Sequence, residues 1–135
     1  MLKMNEIKKG DYLIGDNLGD KITGEVTEIY RAAKQVCIHT ETQDYWYGIN
    51  QISSIPLNDE ILNRLKFHKR INENGTVKYA KGAFRLLIFK EGDFSKMEIW
   101  YRDEHRHIFE PIDVHELQNH FYSMTKVFLN ETSFD

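Results

Sequence analysis

The apolar residues of this chain come in short runs, each cut off within a few positions by a lone glycine or a polar turn cluster. That punctuation restricts the chain to small sheets of short strands. Tyr12-Leu13-Ile14 is a strand candidate ending in Gly15-Asp16-Asn17-Leu18-Gly19-Asp20, residues that tolerate positive φ and stop pairing. Ile22–Tyr30 follows, with Ile22, Val26 and Tyr30 on one strand face, Gly24 between them as the bend of a curved sheet, and Ile29 out of step. Arg31-Ala32-Ala33-Lys34 turns the chain into Gln35-Val36-Cys37-Ile38-His39-Thr40, and Glu41-Thr42-Gln43-Asp44 turns it into Tyr45-Trp46-Tyr47-Gly48-Ile49. Asn50-Gln51-Ile52-Ser53-Ser54 predicts one tight helical turn before a short edge strand at Ile55-Pro56-Leu57.

Four strands, a tight turn and a short last strand over about residues 1–57 resemble, in order, the Src-homology-3-like (SH3-like) barrel. The match is one of pattern, and many unrelated functions use that architecture. Beyond it, Asn58 is an N-cap, Asp59 and Glu60 sit at the positive end of the helix dipole, and Leu57 can staple against Leu62. Ile61, Leu62 and Leu65 form the stripe of a helix expected to end near Phe67. After the turn Asn72-Glu73-Asn74-Gly75, strands are expected near Val77–Ala80, Phe84–Phe89, Met97–Arg102 and His107–Phe109. A closing helix follows: Asp113 and Glu116 have capping-box spacing, Ile112 and Leu117 that of a staple, and Val114, Leu117, Phe121 and Met124 share one side, which should cover the second sheet. Phe128–Asp135 is expected to fray.

The predicted fold is therefore α+β: an SH3-like small β-barrel over 1–57, then a helix, an antiparallel β-sheet and a C-terminal helix over 58–135. Only Ile55-Pro56-Leu57 lies between the two parts, which leaves one continuous unit open. Eighteen Lys and Arg against twenty-one Asp and Glu give a net charge of -3, split about evenly along the chain, so composition advertises no polyanion partner. The one basic cluster, Arg64, Lys66, His68, Lys69 and Arg70, is expected to close the first helix, where cations meet its negative end. A single cysteine excludes an intrachain disulfide and fits a reducing, cytoplasmic compartment. The longest apolar run, Leu86-Leu87-Ile88-Phe89, is far shorter than the roughly 20 residues of a membrane helix, and Met1-Leu2-Lys3-Met4-Asn5-Glu6 lacks the parts of a secretory signal.

Reactive constellations are few. His115-Glu116-Leu117-Gln118-Asn119-His120 invites comparison with the H-E-x-x-H zinc helix, but its histidines are five apart, which turns them roughly 140° from each other on a helix. His105 and His107 are a better metal pair, since residues two apart on a strand share a face, and Glu104 can add an oxygen; no further ligand is identifiable. Cys37 and His39 are likewise two apart, yet nothing local activates the thiol. No serine sits in a nucleophile-elbow pattern and no glycine-rich phosphate loop exists, so neither catalytic residues nor a cofactor or metal is assigned. Tyr45, Trp46 and Tyr47 are the best recognition residues: Tyr45 and Tyr47 fall on one barrel face, Trp46 on the other, and the outward-facing member is the candidate.

Ile55-Pro56-Leu57-Asn58-Asp59-Glu60-Ile61-Leu62 followed by Phe67, and later Val114-His115-Glu116-Leu117-Gln118-Asn119-His120-Phe121-Tyr122 with Thr125, resemble an uncharacterised family of small bacterial proteins encoded in prophages and mobile elements. The resemblance implies a phage-linked cytoplasmic origin and assigns no activity or binding residue. Three functions follow as expectations. The first is a non-catalytic module that engages a host or phage protein. The second is nucleic-acid binding through Tyr45, Trp46 or Tyr47 with Arg64, Lys66, Lys69 and Arg70. The third is a small metal-dependent hydrolase using His105 and His107. Extended outer strands also leave a homodimer open.

Overall fold

A computed structural model describes residues 2–133 of the chain. Its elements in order are β1 (Tyr12–Asn17), β2 (Asp20–Tyr30), β3 (Gln35–His39), β4 (Asp44–Gly48), β5 (Ile52–Ser53), α1 (Asp59–Arg64), β6 (His68–Ile71), β7 (Val77–Lys81), β8 (Phe84–Ile88), β9 (Met97–Tyr101), β10 (Glu104–Ile108) and α2 (Val114–Thr125). The fold is α+β, with two five-stranded antiparallel sheets ordered β4-β3-β2-β1-β5 and β10-β9-β8-β7-β6. They belong to two compact units. The first runs up to Ile55 and takes in Asp113–His115; the second comprises Pro56–Ile112 and the residues from Glu116 onward. No helix among the described residues is long and apolar enough to cross a membrane.

In the first unit, Ile7, Leu13, Val26, Val36, Ile38, Tyr47 and Ile52 form the core. Gly15 of β1 lies against β4, since a Cβ there would stand 2.5 Å from the Tyr47 ring. Gly24 of β2 lies against the carbonyl oxygen of His39 and, at 2.6 Å from a would-be Cβ, a methyl of Ile38. Both glycines mark places where backbone and neighbour approach too closely for a side chain, which is how a sheet curls over its own core. No pairing joins β4 to β5, so among the described residues the hydrogen-bonded sheet is not a closed barrel.

Two local expectations for this unit are corrected. The β2–β3 register shifts between Val26 and Glu28, a bulge that carries Ile29 onto the core and leaves Tyr30 exposed rather than aligned with Ile22 and Val26. The last strand is Ile52–Ser53, paired with Gly15 and Ile14. Ile55 instead offers its carbonyl to the N–H of Val114 at 2.8 Å.

In the second unit Asn58 caps α1 as its sequence implies, with Oδ1 accepting from the Ile61 N–H at 2.9 Å. The helix stops at Arg64, short of Phe67, because Lys66 takes a left-handed φ of 67° and redirects the chain into a strand. That strand, β6, pairs His68–Ile71 with Val77–Ala80. The basic cluster is therefore corrected from a helix end to an exposed edge strand: only Arg64 lies in the helix, while His68, Lys69 and Arg70 lie in β6.

Strands β7 to β9 form where strands are expected and alternate, burying Val77, Tyr79, Phe84, Leu86, Ile88, Met97 and Ile99. The predicted stripe of α2 is buried at Leu117, Phe121 and Met124, and the Phe121 ring sits 4.6 Å from that of Phe84 on β8, so the helix covers this sheet. Residues 128–133 do not fray as expected. Leu129 is buried, its carbonyl accepts from Gln118 Nε2 at 3.0 Å, and the Asn130 carbonyl accepts from the buried Lys81 ammonium at 2.6 Å. Phe134 and Asp135 lie outside the described residues.

Candidate functional site

The face of the second sheet opposite α2 gathers the most chemistry. Pairing is in register across all five strands, so strand alternation dictates which side chains share that face. One cross-strand row reads His105, Trp100, Arg85, Ala80, His68, and the next reads His107, Glu98, Leu87, Lys78, Arg70. Arg106, between the two histidines, points the other way and donates from Nη1 to His120 Nδ1 on α2 at 2.9 Å. Burial first, then the Arg106 charge, hold the His120 pKa below its ordinary value.

Contacts along these rows are close. The His105 ring stacks on Trp100 with centroids 3.5 Å apart and planes 12° from parallel, and the Arg85 guanidinium stands 5.8 Å from the Trp100 ring centre. Past the row ends, Phe109 is 83% exposed and stacks at 6.0 Å on His107, while Phe89 is exposed beneath the Lys96 ammonium, 5.4 Å away. Among the strand positions of this face Glu98 is the one carboxylate, against Arg70, Lys78 and Arg85. A chain of net charge -3 thus concentrates cations and open rings on one side of one sheet.

Within the face, Glu98 is directly opposite His107. Its carboxylate lies 3.1 Å from His107 Nδ1 and 3.7 Å from His105 Nε2, and the three ligand-type atoms are all within 4.8 Å of one another. His105 Nε2 is buried and has no hydrogen-bond partner. The oxygen expected from Glu104 is not there: that carboxylate is held at 2.6 Å by Arg106. Sequence spacing found the histidines, but Glu98 is nine residues before His107, in the opposing strand, and only the hairpin register brings it in.

The aromatic triplet divides as alternation requires. Tyr47 belongs to the first unit's core and Tyr45 packs partly against it, leaving Trp46 outward and 50% exposed. Trp46 lines a groove of about 480 Å³ with Lys9, Glu28, Ile29, Tyr30 and Gln35. Cys37 is buried, and the His39 Nδ1–H donates to the Asp44 carboxylate at 2.6 Å.

The basic candidates belong to the second unit and are dispersed there. Arg64 and Lys66 lie at the end of α1, and Arg70 is on the open sheet face. Lys69 is on the other face, where its ammonium meets Asp59 at 3.0 Å and Glu91 at 3.1 Å. The Tyr79 hydroxyl, donating at 2.7 Å, and then Lys69 hold the Asp59 carboxyl below the usual carboxylate range. No protein-family model, curated protein or solved structure matches this chain.

Proposed function

We propose that the chain is a binding module whose second sheet takes single-stranded nucleic acid on its open face. The observation that carries this reading is the Arg85–Trp100–His105 stack beside Lys78 and Arg70, with Phe89 and Phe109 exposed at the margin. Bases have π-faces and phosphates have charge; a flat sheet surface with rings and guanidinium groups offers partners to both. The motif resemblance to prophage proteins supports, as part of the same proposal, a cytoplasmic role for such a module in a bacterial host.

Fluorescence anisotropy of a labelled oligonucleotide tests it. Affinity is expected to fall steeply with salt, and Arg85→Gln and Lys78→Gln should each lower the log–log salt slope by about 0.7 if each cation meets one phosphate. Trp100→Ala should remove about 1–3 kcal/mol of base stacking. Binding indifferent to salt and to all three substitutions would end the proposal.

A second reading, a peptide-binding first unit, is favoured by the groove between Tyr30 and Trp46, 53% and 50% exposed. Supporting it, the order β4-β3-β2-β1-β5, the one-turn helix at Ile49–Gln51 before β5, and the approach of Gly15 to Tyr47 fit an SH3-like barrel. Here a host or phage protein is the partner. Trp46→Ala should then weaken capture of that protein at least about tenfold while oligonucleotide binding stays unchanged, since a truncated aromatic anchor costs about 2 kcal/mol or more. Equal loss of both activities would count against a separate peptide site.

A further inference from the structure

The geometry points to a divalent transition-metal site at Glu98, His105 and His107, with zinc as the ion its donors suit. The three groups come from one hairpin: Glu98 on β9 and the two histidines on β10, joined by the tight turn between Tyr101 and Glu104. Two imidazole nitrogens and one carboxylate are a borderline-soft donor set, which favours zinc and its neighbours over magnesium or calcium.

The distances fit such an ion. With bonds of about 2.0–2.2 Å, tetrahedral ligand atoms stand roughly 3.4 Å apart. Glu98 lies 3.1 Å from His107 Nδ1 and 3.7 Å from His105 Nε2, on either side of that value, and the whole set falls within 4.8 Å. All three side chains already lie on one face of a paired hairpin, so the hairpin register alone brings the donors together.

A second observation separates this cluster from an ordinary surface ion pair. His105 Nε2 is buried without a hydrogen-bond partner, although the ring is fixed by its stack on Trp100. A buried ring nitrogen left unpaired is costly, and a bound cation satisfies it. The orientation is also preset, since stacking and the cross-strand register leave Nε2 facing Glu98. Three protein donors leave a fourth position for water or an incoming oxygen anion. The inference shares His105 with the nucleic-acid reading but stands on different atoms: the ring nitrogens and the Glu98 carboxylate here, the stacked rings and the cations of the face there.

Titrating zinc chloride into the full, metal-stripped chain by calorimetry tests it. One ion per chain is expected, and cobalt(II) in its place should give the intense visible bands of a four-coordinate site. His107→Ala and Glu98→Gln should each weaken zinc binding at least about tenfold, as loss of a ligand must exceed the known effect of disturbing its supporting shell. His39→Ala, which removes the imidazole paired with Asp44, should leave it unchanged. His107 is largely exposed and Glu98→Gln preserves shape, so folding of both variants can be verified by circular dichroism. No saturable ion in the parent chain, or full affinity retained in both variants, would overturn the site. Oligonucleotide binding measured in parallel distinguishes this failure from failure of the nucleic-acid reading.

Discussion

Replacing Phe84 by alanine is expected to destabilise the second unit by about 3–5 kcal/mol, the usual cost of removing a fully enclosed aromatic ring. Phe84 follows the turn at Gly82 and opens β8 with its side chain toward α2. There it is completely buried, 4.6 Å from the Phe121 ring and 6.2 Å from Phe67 in an edge-on arrangement. The three rings join the sheet, the segment after α1 and the closing helix. Removing the middle one forfeits both the transfer of its surface from water and two ring contacts, and its neighbours come from different elements that cannot all close in. Phe84→Leu should lose less than half as much, because most of the volume is kept. Urea unfolding, with amide exchange to identify the unit that opens, measures the difference. A loss under about 1 kcal/mol in Phe84→Ala would show that the ring is not packed as described.

Asp11→Asn should stabilise the first unit, and the gain should depend on pH. Asp11 is 3% exposed, and burial pushes its pKa from 3.8 up to about 6 against the lowering effects of the Lys8 N–H, which donates to Oδ2 at 2.8 Å, and of the His115 and Lys8 charges. A carboxyl whose folded pKa exceeds its unfolded one binds protons more tightly when folded. Stability therefore declines as pH rises from about 3.8 to 6, and the deficit is complete above that window. A displacement of that size corresponds to about 3 kcal/mol, an order-of-magnitude figure. Asparagine carries no charge to desolvate and its carbonyl can still accept from Lys8. The stability difference between Asp11→Asn and the parent should be largest at pH 7–8 and vanish toward pH 4. Chemical denaturation at several pH values gives that difference directly; one that is constant with pH, or grows on acidification, would contradict the burial argument.

The open sheet face and the three-donor cluster meet at His105, whose ring stacks on Trp100 while its free nitrogen faces Glu98. A metal there would add positive charge to a face that already holds Arg70, Lys78 and Arg85, and so would reinforce attraction for phosphate. Zinc should then raise oligonucleotide affinity in the parent and not in Glu98→Gln, provided both proposals hold.

Alternation and helical spacing were legible in the residues themselves. Val77, Tyr79, Phe84, Leu86 and Ile88 announce their strands by a period of two, and Leu117, Phe121 and Met124 announce a one-sided helix; Asn58 caps where its chemistry says it should. These are local properties, set by sterics within a few residues, and no distant partner is needed to fix them. The split of the aromatic triplet was legible for the same reason, although which side faced outward was not.

Only the tertiary structure decided the rest. The bulge between Val26 and Glu28 flipped Tyr30 to solvent; pairing with β7 made a strand of His68–Ile71; and Lys81 reached across to the carbonyls of Leu65 and Asn130, holding residues beyond α2 in place. The exchange of Glu104 for Glu98 beside the histidines is the most consequential case. Periodicity tells a side chain which face it occupies, but the identity of its neighbour depends on strand register, a long-range pairing that no single stretch of sequence contains.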